Sequence, residues 1–207
     1  MTLAFDTAGL FDTAGLGPGF ADPVFDSQSV FRSVLNAVAY PGAIERLAHR
    51  PGAPEGFDPA MASVVLTLCD LDTPIWSDAA LSSEAVSTYL RFHCGAPLVA
   101  AAADARFGLI GDAAAMPRLD AFAIGDERYP DRSTTLVVAV PSLTEGPQLQ
   151  WSGPGILRRR MVAVAGLPDW FWADWALNQG LYPLGVDVLF ACGDAVMGLP
   201  RGITVKE

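Results

Sequence analysis

The stretch Pro183 to Asp194, PLGVDVLFACGD, constrains the fold more than any other part of the chain. A turn-forming Pro-Leu-Gly opens it, an apolar β-branched run follows, and Gly193-Asp194 closes it, which is the pattern of a buried strand. Alternation places Val186, Val188 and Phe190 on one face and Asp187, Leu189 and Ala191 on the other. Both faces need cover, so the strand belongs inside a layered α/β sheet. Asp187 breaks the pattern, because a carboxylate there needs a partner or a place at the strand's mouth. An arginine such as Arg201 or Arg91 would be that partner, and a ligand site is the other reading.

The elements around this strand follow from local signals. Asp26 or Ser27 can cap a helix whose apolar stripe is Phe31, Val34, Leu35 and Val38, with Arg32 on the opposite side and Pro41-Gly42 as its stop. Asp58-Pro59 starts a second helix through Met61, Val64, Val65 and Leu68. Ser82 or Ser83 starts a third, which runs to Gly95 and Pro97. Extended segments are expected at Pro74 to Trp76, Leu98 to Ala101, Arg106 to Ile110, Thr134 to Val140, Gln148 to Trp151 and Val196 to Leu199. A helix over Leu167 to Asn178 carries Trp170, Phe171, Trp172 and Trp175. Helices interleaved with strands predict an α/β layered sandwich around a mixed central sheet.

Residues 1–24 read as a poorly ordered leader, in which Phe5-Asp6-Thr7-Ala8-Gly9-Leu10 is repeated at once as Phe11 to Leu16. Residues 25–207 read as a single domain. An apolar share of 51% against 17% charged residues is high for a small monomer, so either the core is large or, as we prefer, a partner covers part of the apolar surface. A net charge of −10 argues against nucleic acid or an anionic membrane surface as that partner. Three separated cysteines without a C-x-x-C, no secretory signal and no apolar run of spanning length predict a soluble, reduced, cytoplasmic protein.

Candidate chemistry is sparse. His93, with Arg91 before it and Cys94 after it, reads either as a base or ligand or as a helix-end residue satisfying carbonyls. Adjacent helical positions do not face each other, which argues against a Cys94–His93 pair. The turn Gly153-Pro154-Gly155 before Arg158-Arg159-Arg160 could cradle a phosphate, or the arginines could pair with the chain's own carboxylates. The anion or ligand candidates are therefore Arg91, His93, Arg158, Asp187 and Arg201, with no catalytic residue and no metal set assigned. The tryptophan cluster is most simply core, but three indoles on one short helix exceed what one face can bury, which makes Trp170, Trp172 and Trp175 interface candidates as well. Lys206, the one lysine, lies beside the C-terminus. Lysine imine chemistry, pyridoxal-dependent catalysis included, has no well-placed residue.

Ordered landmarks say more than any single motif. Phe31-Arg32 with Pro41-Gly42, Leu66-Thr67-Leu68-x-Asp70-x-Asp72-Thr73-Pro74-x-Trp76 and Leu90-Arg91-Phe92-His93-x-x-Ala96-Pro97 resemble the PhnH family. Gly153-Pro154-Gly155-Ile156, Pro183-Leu184-Gly185-Val186-Asp187 and Leu199-Pro200-Arg201 continue the resemblance, which spans about Phe25 to Val205. It implies a fold related to pyridoxal-phosphate-dependent transferases, with no cofactor. It also implies a subunit of the bacterial carbon–phosphorus lyase system, homodimeric in isolation and joining PhnG, PhnI and PhnJ in a core complex. That complex makes a ribose 1-phosphonate triphosphate from a nucleoside triphosphate and an alkylphosphonate, before the C–P bond is cleaved. The nucleosidase-like and radical steps are associated with PhnI and PhnJ, which leaves this chain an accessory role. A stand-alone enzyme or sensor, binding a phosphorylated or phosphonate metabolite through an arginine-lined pocket, is the alternative.

Overall fold

The computed structural model describes residues 17–206. The duplicated hexapeptide lies outside the described residues. In chain order the elements are α1 (Pro23–Ala39), β1 (Ile44–Arg46), α2 (Pro59–Leu68), β2 (Ile75–Ser77), α3 (Glu84–Cys94), β3 (Phe107–Ile110), β4 (Thr135–Ala139), β5 (Gln148–Ser152), β6 (Arg160–Ala163), α4 (Phe171–Gly180), β7 (Asp187–Cys192), β8 (Ala195–Leu199) and β9 (Thr204–Lys206), with several 3-10 turns between them.

A six-stranded sheet in the order β1-β8-β7-β4-β3-β2 forms the middle layer. It is mixed: β2, β3, β4 and β7 pair in parallel, while β8 runs antiparallel to both β7 and β1. The strand over 187–192 is interior as its alternation requires. Leu189 and Ala191 join the core beneath α1, α2 and α3, whereas Val188 and Phe190 join the core beneath α4 and a second sheet, β6-β5-β9. The layered α/β architecture with a mixed central sheet is what the sequence led us to expect.

Helix boundaries obey local chemistry where a side chain can cap. Asp58 accepts from the Ala60 and Met61 amides at 2.8 and 3.0 Å, and Ser83 accepts from Val86 at 3.2 Å. Helix α1 is the exception to the sequence reading. Its cap is Asp22, with Pro23 at the first helical position, rather than Asp26 or Ser27. Asp26 is instead buried, accepting the Asp22 amide at 3.0 Å and pairing with His49 at 2.9 Å.

The apolar stripe of α1 is also turned from its expected direction. Val30, Val34 and Ala37 are buried, while Phe31, Leu35 and Val38 remain 48%, 55% and 43% exposed. The cause is a backbone-close contact: a Cβ added at Gly198 of β8 would lie 2.5 Å from the Ala37 carbonyl oxygen. Only a helix presenting its small residues can approach β8 so closely, and the larger side chains are rotated outward.

Three short strands escaped the sequence reading. β1, β6 and β9 are sheet-edge segments of three or four residues, too short and too polar to show a period. Lys206 accordingly belongs to β9, opposite Gln150 of β5, and is not in a loose tail. Conversely, the extended segment expected at Leu98 to Ala101 is reduced to a single bridge between Leu98 and Ile75.

Candidate functional site

Asp187 opens β7 and Arg201 lies in the turn between β8 and β9, so the antiparallel β7–β8 pairing brings them face to face. The Arg201 amide donates to Asp187 Oδ1 at 2.8 Å, and its Nε to Oδ1 and Oδ2, each at 3.1 Å. Nη2 donates to Asp187 Oδ2 and to Ser133 Oγ, and Nη1 donates to the Pro130 carbonyl at 2.9 Å. Every nitrogen of the guanidinium thus has an internal acceptor. The half-buried ion pair ties the start of β7 to the 130–133 segment and to the turn after β8. This is the partner that the exposed end of an interior strand demanded of Asp187.

The same arginine forms the floor of an open cleft of about 460 Å³. Its walls are Val38 and Ala39 from the end of α1, Pro154 and Gly155, Tyr182 and Pro183, and Pro200. Three landmark blocks far apart in sequence therefore meet here: Gly153-Pro154-Gly155, Pro183-Leu184-Gly185 and Leu199-Pro200-Arg201. Gly155 has φ 80°, and a Cβ on it would lie 2.1 Å from the Ala39 carbonyl oxygen, so only glycine lets this loop touch α1. Arg160 secures the contact by donating to the Tyr40 and Pro41 carbonyls at 2.9 and 2.7 Å. Its charge thereby sits at the negative end of α1.

Sequence reasoning missed Val38, Ala39, Pro130 and Tyr182 as lining residues. A signal did exist. Of the four tyrosines, three precede a proline, at 40–41, 129–130 and 182–183, and each of these dipeptides lies in or beside the cleft.

The remaining candidates do not join Asp187 and Arg201. Arg91 is exposed on the last turn of α3 and has no side-chain acceptor among the described residues. His93 does not bond the terminal carbonyls of α3, where Gly95 provides the stop. Its Nε2 instead donates to the Gly17 carbonyl at 3.0 Å, and its ring packs against Tyr89, centroid to centroid at 4.5 Å. Its observed role is to hold the entering chain. Arg158 is exposed in the loop before β6, while Arg159 donates to the Gln150 amide oxygen at 3.2 Å. None of Arg158, Arg159 and Arg160 pairs with a carboxylate among the described residues.

No thiol offers a ready nucleophile. Burial pushes Cys94 up to about 11 and Cys69 further still, and Cys192 is also raised. Among the described residues, no group of three or more His, Cys, Asp or Glu is placed to hold a metal ion, and no helix is long and apolar enough to cross a membrane.

The aromatic helix is packed on two sides. Trp175 is 0% exposed, and its indole N–H donates to the Ile203 carbonyl at 2.9 Å. Phe171 meets Phe190 of β7, and Trp172 stands edge-on to Trp151 of β5 at 6.2 Å. Trp170 lies under the Arg118 guanidinium at 4.9 Å, itself paired with buried Asp174 at 2.6 Å. Two sheets, not one face, absorb these rings.

Comparison with known proteins agrees with the landmark blocks that meet at the cleft. The family model for the bacterial phosphonate metabolism protein PhnH matches residues 18–206. The chain belongs to the PhnH family. The family model starts at Pro18, just after the glycine that His93 holds. One relative is 44% identical over 182 residues, covering 88% of this chain and 91% of its own length. It is the alpha-D-ribose 1-methylphosphonate 5-triphosphate synthase subunit PhnH of Rhizobium meliloti strain 1021. A second is the HtxG protein of Stutzerimonas stutzeri, provisionally named a C-P lyase subunit protein; it is 30% identical over 182 residues, covering 84% of this chain and 83% of its own length.

Proposed function

We propose that this chain is a non-catalytic, accessory subunit of a cytoplasmic carbon–phosphorus lyase core complex, required for the use of organic phosphonates. The complex forms a ribose 1-phosphonate triphosphate from a nucleoside triphosphate and an alkylphosphonate, ahead of C–P bond cleavage. In isolation the chain pairs as a homodimer, and in the complex it meets PhnG, PhnI and PhnJ. The observation that carries this reading is the 44% identity to a PhnH subunit across nearly the full length of both chains.

The geometry supports an accessory role. Arg201, which lines the cleft, directs its N–H groups at Asp187, Ser133, Pro130 and, at 3.4 Å, the Pro183 carbonyl, so a phosphonate would have to displace an internal acceptor to reach it. Arg91 and His93 lie on α3 and do not line the cleft. We place the fold in the lineage of pyridoxal-phosphate-dependent transferases, in which a lysine holds the cofactor. Lys206 does not fit that task, because it is exposed on the outer strand β9. We read the PhnH-like domain as one unit that includes the Asp22 cap and the whole of α1, from about residue 18 to β9.

Co-expression of the tagged full-length chain with PhnG, PhnI and PhnJ tests the proposal. The expected result is a stable co-purifying assembly, and a chain that never joins them would sink it. The stand-alone sensor reading makes the opposite forecast: saturable heat of binding when the isolated protein is titrated with an alkylphosphonate, ATP or phosphate.

A further inference from the structure

The close packing of α1 on β8 turns an apolar stripe outward and leaves it only half covered. Phe31, Leu35 and Val38 recur at helical spacing and stay about half exposed. The stripe runs into the cleft, where Val38 is already a wall residue and Tyr182 is 65% exposed. Just beyond lies Leu157, 99% exposed on the loop that Gly155 presses against α1. Exposed apolar side chains gathered beside a pocket, with a tyrosine and arginines among them, are what a protein contact uses for its centre.

The charges at its edge say what kind of partner fits. Arg32 is exposed on the flank of the stripe rather than opposite it as the sequence suggested, and Arg158 and Arg159 follow Leu157. None of them has a carboxylate partner among the described residues, and Asp131 is the one carboxylate lining the cleft without an ion pair. A basic rim on a chain of net charge −10 is a local inversion of its overall sign. A two-fold self-association through this patch would set that rim against its own copy, which disfavours a second molecule of this chain as the occupant.

We propose that the exposed flank of α1, with the Tyr-Pro cleft at its end, is the docking surface for a different subunit, one presenting an apolar ridge edged by carboxylates. This rests on the subunit reading above and adds to it the face by which the chain is held. The tryptophan helix is a weaker choice for that face, because Trp175 is fully buried and Trp170 and Trp172 already pack against the same core.

The test uses the full-length chain co-expressed with PhnG, PhnI and PhnJ, comparing wild type, Leu35→Glu and the double variant Arg158→Glu with Arg159→Glu. All three positions are exposed, and an unchanged urea midpoint certifies that each variant folds. Each variant should recover about ten-fold less PhnG–PhnI–PhnJ than wild type. For the charge-reversed variant the deficit should shrink as salt is raised. The isolated chain's own dimerisation, read by light scattering, should stay as in wild type. Equal recovery by all three proteins would overturn the surface while leaving the subunit reading intact. Loss of the chain's own dimer with the complex preserved would assign the face to a second copy instead. A wild-type chain that recovers none of the three subunits would remove the subunit reading, and this surface with it.

Discussion

Helices α1 and α4 are both rich in large apolar side chains, and they meet opposite fates. Along α1 the stripe with the cleaner helical period faces outward, while on α4 Phe171 and Trp175 are buried and Trp170 and Trp172 are half-buried against the same core. The difference lies in what each helix packs against. Helix α1 packs on β8 and along α2, and at Gly198 and Ala37 the helix and strand backbones come together, so Val30, Val34 and Ala37 face in. Helix α4 sits between the central sheet and the β6-β5-β9 sheet, and so has two apolar walls to fill. Amphipathic periodicity tells which residues share a face, but the neighbours decide which face is buried.

The largest effect that could break this comparison is at Trp175. Replacing it with alanine removes a fully buried indole and leaves the Ile203 carbonyl without its donor. The expected loss is about 3–5 kcal/mol in urea unfolding, and a loss under about 1 kcal/mol would mean that α4 is not sealed as described.

Next in size is Asp187→Ala, which strands Arg201 among the loops that wall the cleft. The pair is partly exposed, so the expected loss is about 2–3 kcal/mol rather than the full cost of a buried orphan charge. Arg201→Lys in the otherwise wild-type chain should cost a comparable amount, because only the guanidinium fork reaches Asp187, Ser133 and Pro130 together.

A smaller effect is expected of His93→Ala, about 0.5–1 kcal/mol. Its more telling readout is faster proteolytic cleavage near Gly17 to Phe20, where the ring now fixes the chain. Leu35→Ser should change stability least, by under about 0.5 kcal/mol, since the α1 stripe has little to lose in the isolated fold. A loss near that of Trp175→Ala would erase the contrast between the helices.

Thiol titration sharpens the same picture from α3. Burial raises Cys94 to about 11, above the ordinary thiol range. Its thiolate is therefore scarce at pH 8 and gains about ten-fold for each unit of pH below that value. Iodoacetamide labelling followed by mass spectrometry should find Cys94 slow at pH 8 and accelerating toward pH 10 in the native state. The linkage has the matching sign. The neutral buried thiol favours the fold below about pH 8.5, and this contribution fades as the unfolded chain begins to ionise above it.

Much of the molecule was legible before any coordinates. Asp58-Pro59 and Ser83 marked helix starts, Gly95 marked a stop, and the interior strand with its needy Asp187 asked for the partner it has in Arg201. The site was harder to see. Its walls come from five separate segments, and the residues that look most chemical, Arg91, His93 and Arg158, are scattered to α3 and to the loop before β6. The three Tyr-Pro dipeptides were a usable hint, but spacing alone does not say that they converge.

What the sequence determined by itself was everything set within a few residues of chain: caps, stops, strand alternation and the ordered blocks of the PhnH family. Only the tertiary structure decided which side of α1 is bare, that Arg201 is consumed by internal acceptors, and that short polar segments such as β9 complete a sheet. The reason is one of range. Capping and alternation depend on a residue and its near neighbours, whereas burial and the occupation of a guanidinium depend on surfaces that meet only when distant segments pack.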